Sequence, residues 1–567
     1  MAVAVAVLIH LAVSTLAAMV LGLISGHITV LIALASLGLG AGAGILAWRG
    51  FRNEERYLPG ITFFPALVYC FIIFAGLQHF LYLLYYDRHS LKTLHLNNFG
   101  DLSMHIHYIR HMASGAGFWP QNPEYAGELL RYPLGMDLYS ALWEVLGVPT
   151  DTHLFVVGIV MTVVAVVLLH RWMGWWGVGA FFLNGGLSNW QCLWKGRIYD
   201  FQNQVAWKNF FLSLWITQRG FLFAVPAGAY VIKTITEQIL GERTLTRNER
   251  WTCTMLWSGL AWFHLHSFFI VTLVIALFMV VYKKVRIMMG VFIPAVLGGF
   301  LFVIFSTDSF ARAGVMHIQL KWVAGQQNVF TFWLANLGPW IFIWVATLLM
   351  LLKRPITRLL PIAIALSALF VTFTVVMLAP WDWDNIKILL WIYLVMAWLI
   401  RKTLVSRFSA ITAFVIGSVV FFSGTVSLVS SLPGNNPGTQ LYRAEELWES
   451  RTALRDLPEG SVLAVSPDPN HPAMFWGATV AMAYPGHLWS HGIQSSDRER
   501  KLDALFKGRD DWPSLAREIR ATHIYWGENE KRKYGAFNPP WRSRLKNVSP
   551  SSRIEVYELK GFQNTQE

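Results

Sequence analysis

Apolar runs long enough to cross a bilayer recur along most of this chain, and few folds are open to a sequence built that way. A hydrocarbon core of ~30 Å, crossed at ~1.5 Å per residue, takes roughly 20 residues of helix. About thirteen runs qualify on this criterion: 4–25, 28–48, 62–86, 153–169, 174–188, 220–238, 253–266, 267–282, 288–305, 332–352, 357–378, 386–400 and 408–431. The 567 residues are 55% hydrophobic and 14% charged. The fold class expected is therefore a polytopic α-helical membrane protein of about 13 spans. The first run lacks the basic residues of a signal peptide and reads as a retained span.

The net charge of +13 has a use that involves no nucleic acid. Basic residues gather in short connections between runs: Arg49, Arg52 and Arg56; Arg243, Arg247 and Arg250; Lys283, Lys284 and Arg286; Lys353, Arg354 and Arg358; Arg401, Lys402 and Arg407. If all five clusters are cytoplasmic, parity through the thirteen runs closes without adjustment. Residues 87–149, 189–220, the His264–His266 junction, 306–330, 380–385 and the C-terminal tail then share the outer face. The three cysteines, Cys70, Cys192 and Cys253, have no metal or redox spacing. The 27 tryptophans and 18 tyrosines chiefly suit interface belts.

At residue 432 the character changes. LPGNNPGTQ is a turn-rich linker, and the residues beyond it are polar enough for water. Two domains follow: 1–431 in the membrane, and 432–567 as a soluble outer domain. Helices are expected at 444–456, 497–506 and 512–520, with strands at 462–465, 479–483, 523–526 and 554–559, an α/β alternation. Ser496 with Glu499 reads as a capping box, and Asp511 with Pro513 marks the next helix start.

Residues 87–149 make an outer connection far longer than ordinary loops, which points to function. Within it 102–112 can form an amphipathic helix with Asp101 at or just before its N-terminus, and Tyr132-Pro133 opens a second one running to Leu146. Carrying Trp119, Tyr125, Tyr139 and Trp143, these helices are expected to lie along the membrane surface. Asp101 either caps its helix or presents its carboxylate to a substrate. Asp101 with His105, and His107 with His111, have the i,i+4 spacing that could share a divalent metal.

The run GDLSMHIHYIRHMASGAGFWPQNPEYAGELLRYPLGMDLYSAL resembles the first large outer loop of the GT-C superfamily, integral-membrane transferases that use lipid-phosphate sugars. Protein O-mannosyltransferases, aminoarabinose transferases and oligosaccharyltransferases belong to it. FFLNGGLSNW (181–190), TQRGFLFAVP (217–226), WFHLHSF (262–268), PWDWDNIK (380–387) and YPGHLWSHG (484–492) are similar to stretches of a branch of large multi-span proteins. The resemblance implies a glycosyltransferase moving a sugar from a polyprenyl-phosphate donor to a lipid, glycan or protein acceptor. It also implies a bacterial inner-membrane protein whose site and C-terminal domain are extracytoplasmic. The carboxylate that serves there as general base or acceptor-positioning group falls on Asp101. Many members have two adjacent acids where this chain has Asp101-Leu102, so no metal ligand is assigned.

Inverting transfer needs a base within ~3 Å of the nucleophile and positive charge where the phosphate departs. Arg219, Lys208 and Lys387 are the expected phosphate cations, since a bare cation at a span end is costly unless it serves a partner. His105, Tyr132, His264, His266, Asp382, Asp384, Asn385 and His491 are the expected substrate-binding residues. Trp119, Trp194 or Trp383 could stack on sugar, and Asp468, His471, His487, Trp489 and His491 cluster on turns of the tail. A flippase for lipid-linked saccharides would want polar groups deep in several spans, where they are scarce. A non-catalytic scaffold would leave the 100–141 segment without a purpose.

Overall fold

The computed structural model describes residues 1–52, 62–204, 206–309, 317–353, 356–379 and 382–559. Arg56, Arg354 and Pro380 lie outside them. Among the described residues, seven helices are long and apolar enough to cross a membrane: Ala2–Ser25, Val30–Phe51, Phe63–Leu81, Thr150–Phe182, Met288–Ser306, Trp383–Arg407 and Ala410–Ser430. Val329–Leu337 and Pro339–Lys353 add an eighth if counted together, bent by 95°. Leu265–Val281 and Leu360–Phe373 are apolar but shorter.

The difference from thirteen runs has local causes. Runs 153–169 and 174–188 fall in the single segment Thr150–Phe182, within which two helices meet at Gly174, where the backbone leaves helical geometry with φ at +64° and a side chain would be strained. The third run stops at Leu81 because the residues that follow form a hairpin, Tyr85–Asp87 against Ser90–Thr93. At His264 the backbone turns extended and separates Arg247–Phe263 from Leu265–Val281, the break expected there. The first two helices pack closely because Gly40 has no side chain: a Cβ would sit 1.9 Å from Ser14 Oγ.

Beyond Phe182 the described residues as far as Trp215 form turns and helices of at most five residues, and the chain packs on Ala410–Ser430: a Cβ on Gly179 would meet Phe421, and one on Gly185 would meet Ser423. Irregular backbone among apolar helices is tolerable only where its polar groups find protein partners. Here amides provide them. Asn184 Oδ1 accepts from Phe210 N at 2.6 Å, and Gln202 Oε1 accepts from Gly186 N at 3.3 Å. Asn189, fully buried, donates to Ser423 O at 2.6 Å and Ser427 Oγ at 2.8 Å and accepts from Gln202 N at 2.9 Å. Asn209 donates to Phe182 O, and Asn336 accepts from Trp207 N.

The tail contains a five-stranded sheet in the spatial order Thr479–Val480, Val462–Ala464, His523–Trp526, Glu555–Glu558, Lys546–Asn547. The first three strands are parallel and the last two pairings antiparallel. Its helices include Ala444–Leu454, Ser496–Phe506 and Trp512–Glu518. Ser496 is already helical and the cap position falls on Ser495 without a side-chain bond, so the expected capping box does not form. The linker ends in strand Thr439–Arg443, which pairs with Ser90–Thr93 of the long loop.

The two loop helices, Asp101–Ala113 and Gly135–Val145, are buried along most of their length. They do not lie on a surface, which corrects the expectation. Tyr132 and Pro133 precede the second helix. Trp119 packs edge-on against Phe305, and Tyr139 bonds His10 at 3.0 Å. Among the basic clusters, Lys402 pairs with Glu242, and the backbone carbonyl of Arg358 accepts from the Tyr282 hydroxyl.

Replacing Asn189 by Ala removes both its donor and acceptor from buried backbone, and each orphaned group costs roughly 1–3 kcal/mol. The expected outcome for Asn189→Ala is a loss on the order of 2 kcal/mol, read as a lower unfolding temperature in detergent micelles.

Candidate active site

Helix Asp101–Ala113 presents polar groups on two sides. Ser103, His107, Arg110 and His111 meet the tail: Ser103 Oγ bonds Asn470 Oδ1, His107 Nε2 bonds Ala478 O at 2.8 Å, and His111 Nδ1 bonds Gly477 O at 3.0 Å. The Arg110 guanidinium donates to Phe475 O and lies 4.0 Å over the Phe475 ring. Asp101 and His105, one turn apart, line a cavity of about 890 Å³ on the other side. The histidine cluster is thus divided between docking and the cavity. No group of three His, Cys, Asp or Glu suited to a metal occurs among the described residues.

Asp101 does not cap its helix; its Oδ2 accepts from Gln218 Nε2 at 2.6 Å. Gln218 Oε1 accepts from Lys387 Nζ at 3.1 Å, and Lys387 donates to Asp384 Oδ1 at 2.5 Å. One amide therefore joins the two cavity carboxylates through a lysine. Both partners of this ion pair line the cavity. Asp384 and Lys387 lie on helix Asp382–Thr403, three residues apart.

A second network begins at Arg219, whose Nε donates to Asp137 Oδ1 at 3.1 Å and whose Nη2 donates to Ser140 Oγ at 2.5 Å. Asp137 Oδ2 also bonds His105 Nδ1 at 2.8 Å. Arg219 is 4% exposed and Asp137 2%. The partner that justifies this buried cation is a carboxylate, and headgroup snorkelling is ruled out by burial. A third cation on the cavity wall, Arg131, pairs with Asp308 at 2.9 Å and donates to Phe305 O.

Tyr132, His264, His266, Trp383 and His491 also line the cavity. His264 caps the next helix through Nδ1, which accepts from Ser267 N at 3.2 Å. Two expected residues do not reach it. Asn385 is buried holding its own turn, accepting from Leu378 N and Ala379 N and donating to Ala379 O. Lys208 sits beside the Trp383 ring, its Nζ 5.8 Å from the centroid, and is not on the wall. The Asp382 side chain lies outside the described residues. Trp194 is 69% exposed and away from the wall; His471 is buried against Glu530 inside the tail.

The tail closes the cavity with Tyr484, Gly486, His487 and His491. Behind them Glu124, fully buried, lies 3.3 Å from His487 Nδ1 and 3.8 Å from His107 Nδ1. Burial alone would raise the Glu124 carboxyl, but the His487 and His107 imidazoles outweigh it and hold it well below the usual carboxylate range. Burial opposes protonation of His487, and the Glu124 carboxylate overcomes it, so its pKa is raised. At His491 burial outweighs the pull of the Glu124 carboxylate and pushes the pKa down to about 4.

Gln218, Asp137, Arg131, Glu124 and His487 were absent from the expected site set. Asp137 carried a usable signal: a lone acid in the apolar stretch LGMDLYSALW needs a buried partner. The others had none, because their partners are distant in sequence.

Between about pH 4.5 and 6.5 both members of the Glu124–His487 pair carry charge in the folded and stabilising form. The His487 contribution is complete below ~6.5 and is lost as pH rises through its raised folded value. The Glu124 contribution is lost only as pH falls through its depressed one. Amide exchange at 484–492, corrected for intrinsic rates, is expected to quicken above neutral pH, and Glu124→Gln to abolish that dependence.

No family model matches the chain, and no curated protein does. Among solved structures, the chain is similar in architecture to the Archaeoglobus fulgidus oligosaccharyltransferase, crystallised in the apo form. The TM-score is 0.43 and the identity 11%, over 85% of this chain and 71% of that one. An overlap so loose transfers no residue role.

Proposed function

We propose that this protein is a membrane glycosyltransferase of the GT-C type, moving a hexose or pentose from a polyprenyl-phosphate donor to an acceptor on the extracytoplasmic face. The acceptor is a lipid, glycan or protein. The reading rests above all on the mixed lining of the cavity, where Asp101, Asp384, Lys387, His105 and the Arg219–Asp137 pair occur together with Phe263, Phe269, Ile270, Leu273 and Phe373. Phe269 and Leu273 line the cavity while remaining 45% and 40% exposed on an apolar helix. A ligand with a charged head and a prenyl tail suits such a slot, since its tail can stay in hydrocarbon while its head meets the polar groups.

In this reading the Asp101 carboxylate, oriented by Gln218, takes the proton of the acceptor nucleophile as it displaces phosphate with inversion. Lys387 meets the donor phosphate, and Arg219 contributes through Asp137. Residues 1–431 hold the donor, and 432–567 close the site as an outer domain. That orientation follows if the five basic clusters lie on the cytoplasmic side.

The test uses membranes containing the full-length protein and a panel of farnesyl-phosphate hexoses and pentoses labelled in the sugar. Wild type is expected to move label into acceptor, and Asp101→Asn to reduce the rate by ~10²–10⁴-fold. Undiminished transfer by Asp101→Asn would sink the base assignment. Movement of intact donor across the bilayer would favour a flippase instead.

A further inference from the structure

The three cations on the cavity wall are each committed to a carboxylate: Arg219 to Asp137, Lys387 to Asp384 and Arg131 to Asp308. A departing phosphate gains negative charge as the glycosidic bond breaks, and a cation already paired meets it only weakly. Among the described residues of that lining, one fully buried side-chain polar atom has no hydrogen-bond partner. His105 is 2% exposed, lines the cavity, and its Nε2 has no hydrogen-bond partner, whereas Nδ1 is tied to Asp137 Oδ2 at 2.8 Å. A carboxylate on one ring nitrogen fixes the imidazole's orientation and leaves the other ring nitrogen to act on substrate. Arg219, bonded to the far oxygen of Asp137, keeps that carboxylate in place.

We propose that His105, oriented by Asp137, is the proton donor to the phosphate that leaves the sugar. The proposal rests on the transferase reading above. As the acceptor oxygen bonds to the anomeric carbon, the bond from that carbon to the phosphate oxygen breaks and its electron pair stays on the phosphate. The acceptor's proton passes to the Asp101 carboxylate, and the Nε2 proton of the His105 imidazolium passes to the phosphate oxygen. Return of the proton from Asp101 to His105, one turn along the same helix, restores the starting state. The charged and titratable groups facing His105 are Asp101 on its own helix, Asp137 and, through it, Arg219, Tyr132 with its ring centroid 6.2 Å away, and His491 from the tail. Tyr132 is held protonated by burial, and burial keeps His491 neutral near pH 7.

Two variants of the full chain in detergent micelles separate donation of a proton from mere contact. His105→Gln keeps an N–H near the Nε2 position that cannot be given up, and His105→Asn keeps the bond to Asp137 but withdraws from the cavity. Binding of farnesyl phosphate is compared with binding of farnesol, and turnover with the labelled panel is followed against pH. Wild type is expected to prefer the phosphate by ~10-fold or more. His105→Asn loses most of that preference. His105→Gln retains it and keeps the donor KM, while kcat falls ~100-fold and its decline at alkaline pH flattens. Wild-type kcat and an unaltered alkaline decline in a His105→Gln protein of normal melting temperature would overturn the assignment alone. A wild-type protein that binds farnesol as well as farnesyl phosphate would instead overturn the lipid-phosphate reading beneath it, and this assignment with it.

Discussion

Burying helix Asp101–Ala113 obliges each of its polar groups to find a partner, and those partners assemble much of the rest of the molecule. On one side His107, Arg110 and His111 reach backbone carbonyls of the tail. On the other, Asp101 and His105 reach Gln218 and Asp137. An unsatisfied amide or imidazole at such depth costs a few kcal/mol, so the loop helix cannot shift without breaking several contacts at once. The same satisfied network holds the loop rigid and aims its remaining groups into the cavity.

Charge in the cavity follows the same rule. Buried ion pairs add little to stability when compared with apolar packing, but removing one partner of a pair is costly. Arg219, Asp137 and His105 therefore behave as a unit, as do Asp101, Gln218, Lys387 and Asp384. In both units a cation lies against a carboxylate, so the charges of the lining largely offset one another.

The membrane-grade helices were legible because a ~20-residue apolar period is a strong signal, and the tail strand His523–Trp526 was read to the residue. Lys387, His264 and His266 were legible as polar residues at the ends of apolar runs, Asp101 at the start of a loop helix and His491 on a turn of the tail, and the fold gathers them in one cavity. Lys208 and Asn385 had the same signature and turn elsewhere, because position at a span end says nothing of side-chain direction. The break between runs 153–169 and 174–188 was legible, since the runs were read apart and the backbone leaves helical geometry at Gly174 between them. Pairing of Thr439–Arg443 with the loop hairpin was hidden, since its residues lie about 350 positions apart by numbering and no local period records that contact.

That distance has a consequence for biogenesis. The bonds that complete the cavity, Ser103 to Asn470 and Glu124 to His487, join residues separated by 367 and 363 positions. A ribosome emitting this chain makes the first wall of the site early and the last wall only after every described apolar helix has been synthesised. Until then helix Asp101–Ala113 has half its polar groups unpartnered, and it awaits the tail in a bilayer already threaded. Competence thus arrives late and all at once, and a chain that fails to deliver residues 462–492 to the same side of the membrane as Asp101 is left with an open groove where the cavity should be.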